Sequence, residues 1–141
     1  MTTRVRRVGV VTSGGDSPGF NPFVRAVVRM ALHYGWEPWG VQRGYAGLIA
    51  GDIVPMNSRT VSRVIGMGGT FLGSSRSDAF MTPRGMRDAL RNLNEVGIDA
   101  LVIIGGDGTM RGALALQEAG MLVVGAPGTI ENDVCGTDVS I

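Results

Sequence analysis

Short apolar runs that end in paired glycines set the strongest limit on how this chain can fold. The run at 7–12 ends at Ser13-Gly14-Gly15, and the largely apolar run at 99–104 ends at Gly105-Gly106. Runs of this length between loop signals are typical of buried strands, and a continuously apolar run suits an interior parallel strand. Glycine lets the backbone that follows approach a ligand closely. The pattern therefore predicts buried strands with ligand-binding loops at their carboxyl ends.

Segments with helical spacing alternate with these strands. Apolar residues recur at three- and four-residue intervals at 22–34, 83–96 and 109–119. Asn21 and Thr82 are expected to cap the first two helices, each followed by proline as the first helical residue. The alternation predicts an α/β fold, a three-layer, doubly wound, mostly parallel sheet, with ligands bound beyond the carboxyl ends of its strands. The other expected elements are strands at 37–42, 52–55, 70–72 and 122–126, a short helix at 58–67, and loops at 44–47 and 127–138.

Composition limits the class of protein. The 141 residues suit one domain, predicted over 1–141, and the net charge of +1 argues against a nucleic-acid surface. No stretch reaches the roughly 18 apolar residues of a membrane span, and Cys135 alone forms no internal disulfide, so a soluble cytoplasmic protein is expected. All 13 cationic side chains are arginine. A lysine-dependent phosphate loop is therefore excluded. Arginine suits phosphate binding, although GC-rich coding explains the bias equally well.

Four segments carry residues suited to phosphate chemistry: 12–21 (TSGGDSPGFN), 69–76 (GTFLGSSR), 105–109 (GGDGT) and 125–133 (GAPGTIEND). The glycines of the first either turn backbone N–H groups toward a phosphate at a helix N-terminus or form a tight turn. Arg76 is either a phosphate clamp or a surface arginine. Asp107 is either a Mg²⁺ ligand beside nucleotide phosphates or a helix cap. Glu131 and Asp133 are either a base with a charge-positioning partner or a plain acidic loop.

In this order, and with GYAGL at 44–48, the four segments resemble the ATP-dependent 6-phosphofructokinase family over nearly the whole chain. The resemblance implies a glycolytic, allosteric kinase that transfers the γ-phosphoryl group of ATP to the 1-hydroxyl of fructose 6-phosphate. It also implies Mg²⁺ as cofactor and a homo-oligomer, usually a tetramer. Kinases of the NAD or lipid type share GGDGT but lack the segments at 69–76 and 125–133.

The resemblance also implies roles for individual residues. Arg76 would stabilise the transferring charge, Asp107 would hold Mg²⁺, and Asp133 would support the metal and the attacking oxygen. Glu131 occupies the position of the base that deprotonates the sugar hydroxyl. Contacts with ATP are implied for Gly15, Tyr45, Arg76, Ser77, Gly106, Asp107, Gly108 and Thr109, and contacts with the sugar phosphate for Thr129, Ile130 and Glu131. Arg25, Arg29 and, with poorer spacing, Arg59 match an effector site for a nucleoside diphosphate at a subunit interface, or else form an exposed helix face.

Two glycines bear on the phosphoryl donor. Family members that use pyrophosphate carry Asp at the position of Gly108 and Lys at the position of Gly128. Both side chains would crowd and charge the space that ATP needs. Glycine at both positions therefore predicts ATP as the donor.

Two departures from the family pattern bear on catalysis. The family motif TIDND reads TIEND here at residues 129–133, with Glu131 in place of Asp. The extra methylene moves the carboxylate by roughly 1 Å, and a misplacement of that size can cost ~100-fold in rate. Family members are also more than twice as long, so we expect this chain to be the nucleotide-binding half of a longer kinase, without the sugar-phosphate domain and with little turnover alone. A nucleotide-binding or regulatory domain that has lost catalysis is the alternative.

Overall fold

The computed structural model describes residues 4–141, which form five strands, four α-helices and one 3₁₀ turn. The strands are β1 (Arg7–Thr12), β2 (Glu37–Val41), β3 (Ile53–Pro55), β4 (Ala100–Gly105) and β5 (Leu122–Pro127). The helices are α1 (Phe20–His33), α2 (Gly44–Ala50), α3 (Pro83–Val96) and α4 (Asp107–Glu118), and the 3₁₀ turn covers Asp78–Met81. The first three residues of the domain predicted over 1–141 lie outside the described residues. No helix of the described part is long and apolar enough to cross a membrane.

The strands form one sheet in the order β3-β2-β1-β4-β5. β1 pairs in parallel with both β2 and β4, and β4 pairs in parallel with β5. Only the short β3 is antiparallel, beside β2. The predicted mostly parallel sheet is confirmed, and β4 is an interior strand as its apolar run indicated. The chain fills one side of β1 first and then crosses to the other side, so the strand order reverses at β1.

Apolar side chains cover both faces of the sheet, because successive residues of a strand point to opposite faces. On one face, Val10 packs with Val24 and Val28 of α1 and with residues of the loop after β3. On the other face, Val11 packs in a cluster with Leu48 of α2 and with residues of α3 and α4. The result is the predicted three-layer, doubly wound arrangement. It leaves the carboxyl ends of β1 and β4 at one edge, between the two layers of helices.

Two helices begin earlier than the sequence predicted. α1 and α4 each begin two residues before the expected start. Asp107 is therefore the first residue of α4, and the N-cap of that helix is Gly106. Asn21 was expected to be the cap of α1 but lies inside that helix, fully buried. Its side-chain amide donates to the Met67 carbonyl at 3.1 Å and accepts from the Phe71 N–H at 2.8 Å. Buried polar groups need partners, and here distant backbone supplies them in place of a local cap.

Three of the local assignments were wrong. Residues 44–47, expected as a loop, begin α2, which runs from Gly44 to Ala50. Residues 58–67 and 70–72 form turns where a helix and a strand were expected. The side-chain oxygen of Asn57 accepts from the N–H groups of Arg59 and Thr60, which gives that backbone an alternative to a helix. The cap at Thr82 is confirmed, since its hydroxyl accepts from the Gly85 N–H at 3.1 Å.

Candidate active site

A cleft lies where the strand order reverses. β1 and β4 are neighbours, but the loop after β1 leads to α1 on one face and β4 leads into α4 on the opposite face. The two connections diverge and leave a crevice beyond the strand ends, where open α/β sheets bind their ligands. The cleft has a volume of about 590 Å³, which is typical of a site for a small molecule.

The cleft brings together residues from all four segments that the sequence singled out. Parallel strand ends meet at one edge of the sheet, so residues distant along the chain become neighbours there. Of the predicted site residues, the cleft is lined by Gly15, Tyr45, Arg76, Ser77, Gly106, Asp107, Gly108, Thr109, Thr129, Ile130, Glu131 and Asp133. Their shared location is a structural observation, and the role of each remains a prediction.

Four other residues of the cleft, Ser13, Gly14, Asp16 and Ser75, belong to the predicted segments 12–21 and 69–76 without an individually assigned contact. The residues of the cleft that the sequence did not single out are Asp78, Phe80, Met81 and Gly112. Phe80 and Met81 belong to the 3₁₀ turn, which is too short for any periodicity to reveal. Gly112 did carry a signal, because glycine inside a helix is unfavourable and therefore indicates close packing.

The floor of the cleft is packed too tightly for additional side chains. The Ser13 N–H donates to the Ile104 carbonyl at 3.1 Å and joins the loop after β1 to the end of β4. Thr109 is buried between the two loops. Its Oγ1 would lie 3.2 Å from a Cβ atom at Gly14 and 2.4 Å from one at Gly105. Packing of the loops therefore requires glycine at 105, and a φ of +77° favours glycine at 14, both independently of any ligand.

Asp107 stands at the amino end of α4, where the helix dipole favours negative charge. Its Oδ2 lies 2.7 Å from Nη2 of Arg111, and the Asp107 side chain is 45% exposed. Within residues 4–141, no three His, Cys, Asp or Glu side chains gather closely enough to hold a metal ion. Mg²⁺ is commonly bound by one or two carboxylates together with substrate phosphates. The oxygen ligands present therefore suit Mg²⁺ that is shared with a nucleotide.

Arg76 extends from a loop that is bonded to the segments on both sides of it. The Ser74 hydroxyl donates to the Gly14 carbonyl at 2.7 Å, and the Ser75 hydroxyl donates to the Arg43 carbonyl at 2.8 Å. Arg76 itself is exposed and lines the cleft. A long cationic side chain thus starts from a fixed backbone beside the paired glycines, an arrangement suited to bidentate phosphate binding.

Tyr45 and Phe80 form an aromatic wall of the cleft. Their ring centroids are 4.0 Å apart and their planes differ by 3°. The Tyr45 hydroxyl donates to the Thr109 carbonyl at 2.6 Å and so connects α2 to α4. A Cβ atom at Gly112 would come within 2.6 Å of the Tyr45 ring, which explains the glycine inside α4. Burial raises the pKa of the Tyr45 phenol well above its ordinary value.

We expect Tyr45→Phe to change how stability depends on alkaline pH. The folded pKa of Tyr45 is raised, so its contribution to stability is complete below the unfolded pKa of about 10 and is lost as the pH rises above that value. At pH 7 the variant should lose about 1 kcal/mol with the Thr109 hydrogen bond. Between pH 10 and pH 11.5, urea titrations should show the wild-type free energy of unfolding fall toward that of the variant. Parallel curves for the two proteins would contradict the burial of this phenol.

The acidic loop returns to the cleft after β5. The Ser140 hydroxyl donates to the Thr129 carbonyl at 2.8 Å, and the Thr129 hydroxyl accepts from the Glu131 N–H at 3.2 Å. Asn132 has φ of +49°, in the left-handed region where asparagine is enriched among non-glycine residues. Glu131 and Asp133 stand on either side of this turn, and both are exposed and line the cleft.

The structure separates the two glycines that were predicted to report the donor. Gly108 lines the cleft, and nothing lies within 4 Å of a Cβ atom placed there. Gly128 is buried, and a Cβ atom there would lie 2.5 Å from Ile104 Cγ1 and 2.7 Å from Phe20 Cε1. In this chain the side chains of Ile104 and Phe20 therefore crowd position 128, whereas the space at Gly108 is open to the cleft; the donor role of Gly128 stays a prediction.

The three arginines of the predicted effector site do not line the cleft. Arg25 Nη1 donates to the Val61 carbonyl at 2.8 Å, which brings α1 next to the loop that carries Arg59. Arg29 is exposed one turn further along α1. The effector role of these residues stays a prediction.

Together, the fold and the cleft define a doubly wound α/β protein with a glycine-rich cleft, lined by arginine and carboxylates, at its switch point. A family model described as phosphofructokinase matches residues 7–141. The chain belongs to the phosphofructokinase family, as its motifs predicted.

Curated relatives show the same likeness. The chain is 54% identical over 138 residues to ATP-dependent 6-phosphofructokinase 1 of Thermus thermophilus. It is 50% identical over 137 residues to the ATP-dependent 6-phosphofructokinase of Halalkalibacterium halodurans. Each match covers 97% of this chain and 43% of the relative. The chain thus spans less than half the length of these relatives.

Solved structures agree with the family. Pichia pastoris phosphofructokinase in the T-state superposes with a TM-score of 0.92 at 35% identity, over 100% of this chain and 17% of that one. A pyrophosphate-dependent phosphofructokinase from Marinobacter aquaeolei gives a TM-score of 0.81 at 17% identity, over 95% of this chain and 36% of that one. The second likeness is one of fold alone.

Proposed function

We propose that this chain provides the ATP-binding and base-bearing part of a 6-phosphofructokinase. Such an enzyme transfers the γ-phosphoryl group of ATP to the 1-hydroxyl of fructose 6-phosphate. The observation that carries the proposal is that Arg76, Asp107 and Glu131, from three distant segments, line one cleft at the switch point. The names of the curated relatives support ATP as the donor, and the open space at Gly108 is consistent with it.

The phosphates of ATP would lie against the glycines that follow β1 and β4. Loop N–H groups and the amino end of α4 favour negative charge there. Arg76 would reach the phosphates from the neighbouring loop and balance charge that spreads over the transferring group. Tyr45 and Phe80 would close one side of the nucleotide site by packing, since the Tyr45 hydroxyl is already bonded to Thr109.

The metal would be held by Asp107, with Asp133 on the acidic loop as a second carboxylate of the same cleft. When bound, Mg²⁺ would supply positive charge that neutralises the negative charge developing on the phosphates. Arg111 holds the Asp107 carboxylate in place at 2.7 Å. An exposed pair of this kind is weak, so it orients Asp107 without competing strongly with a cation.

Glu131 would take the proton from the sugar 1-hydroxyl, which is the part of a general base. The hydroxyl oxygen forms a bond to the γ-phosphorus while the bond from that phosphorus to the β,γ-bridging oxygen breaks. ADP and the sugar bisphosphate are the products. Thr129 would support this step through its hydrogen bond with the Glu131 N–H, which fixes the backbone from which the base extends.

A donor-resolved assay tests the proposal. Because the chain spans 43% of its curated relatives' length, the assay uses the longest polypeptide that carries this sequence, with the chain alone beside it. We expect fructose 1,6-bisphosphate from ATP and fructose 6-phosphate, none from pyrophosphate, and little turnover by the chain alone. Activity with pyrophosphate only would overturn the donor, and phosphorylation of NAD in place of the sugar would overturn the reaction. Robust turnover by the chain alone would contradict the need for further sugar-binding residues.

Glu131 also supports a second candidate, a nucleotide-binding domain with impaired catalysis. We expect Glu131→Asp to lower kcat by ~10- to 100-fold, because the shorter side chain withdraws the carboxylate from a position the loop has adapted to. The comparison is made in the same long polypeptide, with Asp138→Glu, a second carboxylate of the polar loop, as the control. A rise in kcat for Glu131→Asp would instead establish that the natural site is impaired.

A further inference from the structure

Thr12 is the last residue of β1 and is fully buried. Its hydroxyl donates to the Gly73 carbonyl at 2.9 Å. The Thr70 hydroxyl oxygen lies 2.9 Å from the Thr12 hydroxyl oxygen. Since Thr12 has one proton to donate, Thr70 is the donor in that second contact. Both partners belong to the loop that leads to Arg76.

The same loop is anchored at two further points around the end of β1. Asn21 of α1 bonds to the backbone of Met67 and Phe71. The Ser74 hydroxyl bonds to the Gly14 carbonyl at 2.7 Å. Thr12 lies between these anchors and links the two loops. Its backbone continues into Ser13 and Gly14, and its side chain bonds to the loop that leads to Arg76.

We propose that Thr12 is a positioning residue that sets the separation between the glycine loop after β1 and the backbone that carries Arg76. Gly73, held by the Thr12 hydroxyl, lies three residues before Arg76. The alternating pattern of β1 places Thr12 on the same face as Val8 and Val10, where valine packs well. A hydroxyl at this buried position is therefore explained by the bonds it makes and not by volume.

The inference rests on the proposed function, because the two loops matter as the two sides of a triphosphate site. A phosphate held by both loops needs a fixed distance between them, and misplacement of a binding group by about 1 Å can cost ~100-fold. A purely structural threonine would stabilise the chain without affecting nucleotide affinity selectively. Loss of a positioning role therefore lowers nucleotide affinity, whereas loss of a purely structural role lowers stability alone.

The decisive comparison is between Thr12→Val, which replaces the hydroxyl by a methyl group, and Thr12→Ser, which keeps it. Val28→Ala serves as a control for lost packing, because Val28 is buried in the same apolar cluster as Leu72 of the loop but forms no hydrogen bond with it. Three measurements are made on this chain: hydrogen exchange of residues 67–77 without ligand, affinity for mant-ATP with Mg²⁺, and stability in urea. A fourth, kcat against KM for ATP, uses the longer polypeptide.

We expect Thr12→Val to speed exchange at the Phe71 and Gly73 amides and to weaken mant-ATP binding by about tenfold, as two hydrogen bonds of modest net strength are lost. KM for ATP should rise in step, and Thr12→Ser should restore most of the affinity. Val28→Ala should lower stability with little change in either measurement. Unchanged mant-ATP affinity in Thr12→Val, or equal weakening in Val28→Ala, would overturn the inference.

Failure of the proposed function would look different. A wild-type chain that binds no mant-ATP would refute the nucleotide site, and unchanged exchange in Thr12→Val would separately refute the anchoring of the loop. If Thr12→Val does not fold, Thr70→Val removes one of the two bonds and leaves the Gly73 bond. In Thr70→Val, mant-ATP affinity should fall by about threefold and exchange of residues 67–77 should become faster. Affinity and exchange equal to those of the wild type would then count against the inference.

Discussion

Gly105→Ala is expected to destabilise the protein by about 3 kcal/mol and to abolish nucleotide binding. The added Cβ would lie 2.5 Å from the Ser13 carbonyl oxygen and 2.6 Å from Thr109 Cβ. Neither neighbour can move freely, because the Ser13 N–H is bonded to the Ile104 carbonyl and Thr109 is buried. Overpacking against such atoms falls at the upper end of its usual range. For a chain of this size, the melting temperature should fall by roughly 10 °C.

The adjacent glycine provides a matched control for that experiment. A Cβ atom at Gly106 would have Thr129 Cβ as its nearest neighbour, at 4.0 Å, and the backbone φ of −87° suits any residue. Gly106→Ala should therefore cost less than about 1 kcal/mol, mainly as a poorer helix N-cap. Thermal unfolding and mant-ATP titration of the two variants, side by side, give the test. Similar melting temperatures for both would show that the strand-end packing is not as tight as described.

Asp107→Asn is expected to remove most catalysis while it leaves the fold intact. The carboxylate is the predicted metal ligand at the amino end of α4, and loss of one electrostatic group of this kind typically costs ~10²- to 10³-fold in kcat. The variant also loses the exposed pair with Arg111 and a favourable charge at the helix start, together worth less than about 1 kcal/mol. Activity is measured in the longest polypeptide, and the effect of Mg²⁺ on mant-ATP affinity is measured in this chain.

Asp78→Asn is the control, because Asp78 lines the same cleft from the 3₁₀ turn. It removes the same charge from the cleft but not the predicted metal ligand. We expect Mg²⁺ to strengthen nucleotide binding in the wild type and in Asp78→Asn, and to have little effect in Asp107→Asn. If both variants lose activity equally, the general charge of the cleft is responsible, and Asp107 has no special role as a ligand.

Much of the cleft was predictable because its chemistry is encoded in short, contiguous segments. The glycines after β1 and β4, Asp107 and the acidic loop all follow apolar runs, and the parallel strands that these runs predict must end at the same edge of the sheet. Arg76 belonged to a recognised segment, but the strand expected before it is a turn. Elements governed by distant partners were missed. Asn21 was read as a cap because its buried bonds to residues 67 and 71 leave no trace in local spacing, and the 3₁₀ turn with Phe80 has no periodicity.

The surroundings of Gly128 were also not predictable from local spacing, although the motif that contains Gly128 was recognised. Its place in the sequence suggested a role toward the donor, but Ile104 and Phe20 occupy the space where a side chain would extend. The sequence by itself determined the class of fold, the order of the phosphate-suited segments and the family, because these depend on local periodicity and on contiguous motifs. The tertiary structure decided which glycines serve packing and what holds the Arg76 loop against the end of β1, because those properties depend on contacts between residues far apart in the chain.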